Sequence, residues 1–592
     1  MDRKTLVIVV ICLLAFMLYW PLLDRLGLGR YHETPRPATT SGAPGAGKTG
    51  PDTAPAAPGG APTGAPTGSV SGSATAPGPL PTGAATRAGA SAAATTRPAP
   101  VGRTIVVETP LYRAEFSNLG AVLTNVELKH YASAHPGARH ARPGGEVAPA
   151  DRVRLAGEPT FELGLGSGLA ARPLRDIAYA VAESLDAAGA VRTLSFSGQA
   201  GPGTEVRQTY RVHPDSYAID LAVEIRNPPA TDTDYTLTLR SWPAETEADR
   251  VSDQRALRAS SLVGTNIHRE HAAGLLRQPK IFEGNVVWAG VQSRYFLVAA
   301  AIVEGASRAV VSNAEERAPL AGEPPGPGPG GAYVLAVNRV AMTLPSASRP
   351  VHRFVLFAGP SEYAQLARLS GTQLERAVDL GWNWVRPISS LLLRVLNAIH
   401  SVVRNYGFAI ILLATLLRAL LHPLNMAGMK SMRAMQKIQP EMDRIRAKYK
   451  DDPQAMNAAV MALYRENKVN PAGGCLPMLL QMPVLISLYQ VLFNAIELRQ
   501  APFLSWMSDL SAPDLLFGVA GFPIRLLPVL MAGSGFLLQR LTPTTPQQAP
   551  TAYMMNLMML VFFYNMPSGL VLYWTVMNLL SALQQWLVLR HE

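Results

Sequence analysis

Residues Tyr406–Leu421 read YGFAIILLATLLRALL, sixteen residues that carry a single charge, Arg418. A run of this length and apolarity is a candidate membrane span, and further runs accompany it: Cys475–Ile496, Phe522–Leu541, Tyr553–Met566 and Ser568–Leu589. Pro567 and Gly569 separate the last two, a helix-ending pair suited to a tight turn between antiparallel spans. Near the start, Leu6–Leu23 holds no charge and follows Arg3 and Lys4. Tyr19, Trp20 and Pro21 stand where a signal peptidase would need small residues, so this run reads as an uncleaved anchor over 1–24. The chain of 592 residues is 48% hydrophobic and 16% charged, which excludes an ordinary soluble enzyme. The fold class predicted is a polytopic α-helical membrane protein with six transmembrane helices and an inserted all-β domain on the outer side.

Charge placement orients these spans. The net charge of +11 would raise nucleic acid as a partner of a soluble protein, but 423–474 carries nine Lys and Arg against five acids, the excess expected of a cytoplasmic loop. Six spans then put both termini in the cytoplasm, and no direct nucleic-acid partner is expected. The same loop reads as a helical hairpin: Met426, Met429, Met432, Met435, Ile438, Met442 and Ile445 recur every three or four residues, Pro440 should kink the first arm, and Asp451–Pro453 turns the chain. Such a methionine stripe is packing first and an adaptable surface for apolar partners second.

Outside the spans the composition changes twice. From Ser41 to Pro100, 54 of 60 residues are Ala, Gly, Pro, Ser or Thr, too little branched apolar surface to offset ordering, so 25–102 reads as a disordered tether. Over 103–360 short alternating runs such as RTIVVE, TLSFSG, YAIDLAVEIRN, YTLTLRSW and HRFVLFAG predict a β-sandwich domain. Its histidines follow no metal-ligand spacing, it has no phosphate loop, and Cys12 and Cys475 cannot build a disulfide framework. No cofactor, metal or catalytic residue is therefore expected. Over 361–405 the chain connects to the core (406–592) through DLGWNWVRPISSLLLRVLNAIHSVVRN (379–405), which reads as an amphipathic helix in the outer interface.

Arg418 is the residue that needs explaining. If the span begins at Tyr406, twelve residues carry Arg418 roughly 18 Å into a core of about 30 Å, where an unpaired guanidinium costs about 2.5 to 3.5 kcal/mol. No acid lies in the later spans to pair with it; the polar residues there are Gln481, Gln490, Asn494, Asn556, Asn565, Thr575, Asn578, Ser581, Gln584 and Gln585. This combination points to a wet cavity with one positive charge, suited to attracting an acidic stretch of another polypeptide. A secondary transporter should show paired repeats, and the spans show none. A membrane-anchored carbohydrate-active enzyme would need carboxylates converging in the β domain.

The chain resembles the YidC family of bacterial membrane protein insertases in its Gram-negative form. The resemblance is carried by MDRKTLVIVV at the start, RALLHPL after the second span, NPAGGCLPMLLQMPVLISLYQ, ELRQAPF, LTPTT and MPSGLVLYWTVMNLLSALQQ, and in the β domain by WAGVQSRYF (288–296). It implies insertion and folding of membrane proteins, alone or with the Sec translocon, and a periplasmic β-supersandwich similar to sugar mutarotases. It implies nascent membrane proteins and membrane lipids as partners, with ribosome contact confined to the cytoplasmic loops because the chain ends at Arg590, His591 and Glu592. Carried over by motif, the substrate groove comprises Arg418, Gln481 and Met482, with Tyr573 and Trp574. Two positions depart from the family pattern: Ala414, with Thr415 beside it, stands where a threonine is usual, and Trp574 follows Tyr573 where a second tyrosine is usual.

Overall fold

The computed structural model describes residues 102–590 except 134–144, 156–157, 167–170, 187–190, 229–233, 243–245, 321–322, 345–350, 468, 470–475, 505, 520–521 and 543–548. The expected anchor (1–24) and most of the tether (25–102) lie outside the described residues.

The alternating runs form strands. Thr204–Val212 and Ala218–Arg226 bury every second residue, whereas Phe296–Glu304 is buried on both faces over its first six residues, as a central strand should be. Antiparallel pairing assembles a four-, a nine- and a six-stranded sheet, the nine-stranded one with Phe296–Glu304 and Val351–Pro360 adjacent near its middle. The two larger sheets are bonded across their interface. Asn338 of the six-stranded sheet donates to the Ser260 and Gly290 carbonyls of the other at 2.9 and 2.8 Å, and Tyr235 shares a hydrogen bond of 2.7 Å with His352. Asp234–Arg240 shows how pattern becomes packing: Tyr235, Leu237 and Leu239 enter the apolar core, while on the opposite side Arg240 pairs with Glu162 and Glu315. Each fully buried large side chain contributes about 1.5 to 3 kcal/mol.

Among the described residues nine α-helices follow from Arg386 onward: α1 (Arg386–Val403), α2 (Tyr406–Leu420), α3 (His422–Lys437), α4 (Gln439–Lys448), α5 (Pro453–Glu466), α6 (Leu476–Asn494), α7 (Leu526–Leu541), α8 (Ala549–Phe563) and α9 (Ser568–Arg590). Asn405 starts α2, its Oδ1 accepting the Phe408 N–H at 3.2 Å. One side of α2 buries Ala409, Ile410, Leu413, Ala414 and Leu417 in packing against α1 and α9, and Phe408, Leu412, Leu416 and Leu420 stay exposed at every fourth position. Two glycines set close approaches. A Cβ on Gly407 would fall 2.0 Å from Phe503 of the ELRQAPF motif, and one on Gly569, in the first turn of α9, would crowd the Leu510 carbonyl at 3.1 Å.

Three expectations change in detail. The amphipathic segment forms α1, whose Leu392, Leu393 and Leu396 are buried where it packs on α2 and α6; protein contact thus takes up part of the stripe assigned to lipid. The run Phe522–Leu541 begins as a strand, Phe522–Ile524, paired with Phe517–Val519, before α7 starts. Pro440 divides the hairpin arm outright, α3 ending at Lys437 and α4 starting at Gln439. Within the hairpin Ile438, Met442, Leu463 and Val469 form a small core joined by Met435, and the Tyr464 hydroxyl donates to Met442 Sδ at 3.2 Å. For these two methionines the stripe is packing. Among the described residues no single helix is long and apolar enough to cross a membrane, whereas α2 and α3 pass that test together, bent by 59° at their junction.

Candidate functional site

Arg418 lies in the last turn of α2, just before the bend. His422 and Pro423 open α3, and proline at the first turn both tolerates the missing donor and prevents α2 from continuing straight. Among the described residues Arg418 has no ion pair, and its buried Nε has no hydrogen-bond partner. The groups whose charge it senses include Tyr573, fully buried on α9. Trp574 turns to α8, its ring 5.3 Å from that of Phe563. Ala414 is fully buried in the packed side of α2, whereas Thr415 is exposed and returns its hydroxyl to the Ile411 carbonyl at 2.8 Å. Gln481 and Met482 are half-buried on α6 beside Pro483, and that helix packs on α3 and α9. The structure thus sets the helix of Arg418 against that of Tyr573, and the helix of Gln481 and Met482 against α3 and α9.

Most of the ten polar residues named from sequence are spent elsewhere. Asn556 donates to the Ala532 carbonyl at 3.1 Å, Asn578 to Ser534 Oγ at 3.2 Å, and Gln585 accepts from Thr542 at 2.9 Å, all tying α7 to α8 or α9. Asn494 donates to Gln490 and to the Asp379 carbonyl. Thr575 and Ser581 bond back to their own helix. Gln584 reaches His422 at 3.1 Å across the bend. Around the bend lie buried atoms without a partner among the described residues: Arg418 Nε, Asn425 Nδ2 and Gln584 Oε1. Each costs about 1 to 3 kcal/mol if left dry, a cost that water or a peptide backbone would relieve.

Sequence reading missed a second polar cluster, at the contact between the β domain and the helices. There the motifs WAGVQSRYF and ELRQAPF meet: Arg294 donates through Nε to the Phe493 carbonyl at 2.9 Å, and the Arg499 guanidinium lies 5.2 Å above the Phe296 ring. Arg499, with 2% of its side chain exposed, pairs with Glu247 at 2.8 Å and donates to the Thr246 carbonyl at 3.0 Å. Arg258 pairs with Asp379 at 2.9 Å. The available signal was an arginine in each motif; its partners lie too far along the chain for spacing to reveal them. Burial pushes the Glu247 carboxyl up to about 7 although Arg499 opposes it. Glu497 is likewise raised to about 7 by burial, against an opposing hydrogen bond from Asn397.

Glu497 supports one prediction. A carboxyl raised from 4.5 to about 7 is disfavoured in its charged form by about 3 kcal/mol. The folded protein holds this proton where the unfolded chain releases it, so Glu497 lowers stability progressively as pH rises from about 4.5 to about 7. Glu497→Gln keeps an acceptor for Asn397 and removes the charge. The unfolding midpoint should therefore rise at pH near 8 and stay unchanged near pH 4, which thermal unfolding at the two pH values checks; equal shifts at both would contradict it.

The β domain of antiparallel sheets and the helical part with an arginine at a bent helix pair are each matched by a family model. The "60Kd inner membrane protein" model matches residues 398–592 and the "YidC periplasmic domain" model residues 104–393. The chain belongs to the YidC family. The membrane protein insertase YidC of Pelobacter propionicus is 36% identical over 490 residues, covering 81% of this chain and 85% of the relative. That of Nitratidesulfovibrio vulgaris is 34% identical, covering 83% and 87%. A solved structure described as an active YidC insertase with its first transmembrane domain resolved is similar over 82% of this chain and 92% of that one, at 17% identity and a TM-score of 0.33.

Proposed function

We propose that this chain is a membrane protein insertase and chaperone of the inner membrane, acting on nascent membrane proteins in contact with membrane lipids. The observation that carries the mechanism is Arg418, a guanidinium without an ion pair among the described residues, set at a bend where further polar atoms lack partners. Such a site attracts an acidic, hydrophilic segment and exchanges hydrogen bonds with it while the adjoining apolar segment moves into lipid. It lowers the barrier for the polar segment without a nucleotide. Gln481, Met482, Tyr573 and Trp574 line the path in this reading, and Ala414 and Thr415 stand one turn before the arginine.

The finer organisation belongs to the same proposal. Six spans begin with the anchor 1–24 and place both termini in the cytoplasm. The tether 25–102 leads to a periplasmic β-supersandwich over 103–360, the connecting helices of 361–405 lie at the outer face, and 406–592 form the insertase core with its cytoplasmic hairpin 423–474. Work with the Sec translocon and weak ribosome contact through the cytoplasmic loops complete it. The direct test is reconstitution of the purified protein in vesicles with a short single-span substrate whose translocated segment is acidic. Protease protection of that segment is expected above protein-free vesicles, and equal protection in both would refute the reading.

The hairpin should receive chains before the core does. Met435 and Met442 face inward, but Met461 on α5 is 48% exposed. A photo-crosslinker at Met461 should capture early translation intermediates; capture of fully inserted products alone would end the recruiting role.

A further inference from the structure

Between Asp514 and Arg525 lies LLFGVAGFPI, ten residues without a charge, in the connection between α6 and α7. Leu515, Leu516 and Phe517 are 55%, 40% and 53% exposed, three consecutive large apolar side chains, and they lead into the two-stranded hairpin of Phe517–Val519 and Phe522–Ile524.

This hairpin has a fixed base. Buried Asp514 accepts the Leu526 and Leu527 N–H groups at 2.9 Å each, capping the start of α7. The Leu516 N–H donates to the Ile524 carbonyl at 3.0 Å. Arg525 donates to the Tyr564 carbonyl and to Asn565 Oδ1 just past the end of α8, and the Tyr564 hydroxyl donates to the Pro523 carbonyl at 2.6 Å. The polar groups of the segment therefore hold it to the helix ends, while Leu515, Leu516 and Phe517 are left outward. Contiguous exposed apolar surface of this kind marks a binding face.

Helix length identifies what covers it. The 16 residues of α7 extend about 24 Å, short of a hydrocarbon core of about 30 Å. The segment running straight into α7 thus lies at the level where acyl chains give way to headgroups. Its depth is bounded from the other side as well. Three-residue strands leave outward N–H and C=O groups unpaired, which the core would not tolerate but hydrated headgroups satisfy. Tyr564 at the base is a residue type favoured at that level. We propose that Leu515, Leu516 and Phe517 form a lipid-binding wedge seated in the periplasmic-leaflet interface, with their side chains at the acyl boundary. The proposal rests on the reading that α7 and α8 cross the membrane.

The test uses the full chain with Cys12 and Cys475 replaced by serine, in vesicles of phosphatidylethanolamine and phosphatidylglycerol. Single cysteines at Phe517→Cys or Leu530→Cys carry an environment-sensitive fluorophore. The Phe517 label should emit to the blue and be quenched about twofold more by shallow than by deep spin-labelled lipid, with little quenching by aqueous iodide. Iodide quenching at Phe517, with lipid quenching retained at Leu530, overturns the wedge while leaving the spanning reading intact. Protection of Phe517 from both quenchers overturns it in favour of a protein partner. Iodide quenching at both labels removes the spanning reading and the wedge together.

Discussion

Arg418→Glu is expected to slow insertion of a substrate with an acidic translocated segment by about a hundredfold, Arg418→Ala by about tenfold, and Arg418→Lys little. Two unit charges 4 Å apart interact by about 1 kcal/mol in bulk water and about 4 kcal/mol near a protein surface. About 1.4 kcal/mol, near the wet end of that range, is a factor of ten in an equilibrium. Alanine forfeits one such attraction, and glutamate converts it into repulsion. Lysine keeps the charge but lacks the planar fork of arginine, so a strong defect in the Lys variant would mean that Arg418 acts through hydrogen-bond geometry. Stability separates the roles further. Arg418 has no ion pair among the described residues and a buried Nε without a partner, so its removal strands no opposite charge, and the unfolding midpoint should stay level or rise. Rates measured in reconstituted vesicles with acidic and neutral versions of one substrate read the effect. Normal insertion of the acidic version by all three folded variants would leave the apolar path as the whole mechanism.

The second large effect is expected at the contact between the β domain and the helices. Arg499→Ala leaves Glu247 buried beside Asp253 and Asp509, both of which disfavour its charge. Removing one member of a buried pair costs about 3 to 5 kcal/mol. Taking about 3 kcal/mol and a β domain of roughly 250 residues, the unfolding midpoint at pH near 8 should drop by about 6 to 12 °C. Its pH dependence has a definite sign. Glu247 already sits near 7, and without Arg499 its carboxyl rises further. Below about 7 both folded proteins hold this proton, and above it the variant keeps the proton that wild type releases, so the defect grows as pH rises through about 7 and is smallest below it. Arg499→Lys, which restores a cation but not the second hydrogen bond to Thr246, should recover part of the loss. Thermal unfolding of the full-length protein near pH 4 and pH 8 decides this, and equal midpoints for wild type and Arg499→Ala at both would show the pair to be idle.

Much of this molecule follows from local pattern. Alternation in YAIDLAVEIRN and HRFVLFAG became Ala218–Arg226 and Val351–Pro360, paired to each other in the large sheet. The apolar runs became α2, α6, α7, α8 and α9, and Pro423 and Pro567 ended elements where proline must. These outcomes needed no knowledge of distant partners, because side-chain periodicity and the missing proline donor act within a few residues. Arg418 was conspicuous for the same reason: its cost in an apolar run is a property of the run.

Partners were another matter. The ten uncharged polar residues of the later spans look equivalent in sequence, yet Asn556, Asn578 and Gln585 join α7 to its neighbours while Gln584 reaches His422 at the bend. Arg499 meets Glu247 across 252 positions and Gln500 meets the Ala132 carbonyl across 368. Phe522–Ile524 fall inside the apolar run Phe522–Leu541 because an apolar strand shorter than a helical turn cannot be told from a helix start by composition. Local pattern was enough to mark most strands and helices of the described residues, and to mark one arginine in an apolar helix. Tertiary structure alone decided which polar atoms are consumed in packing and which stay free beside that arginine, since hydrogen-bond and ion-pair partners are selected by proximity in space, and local periodicity carries no record of it.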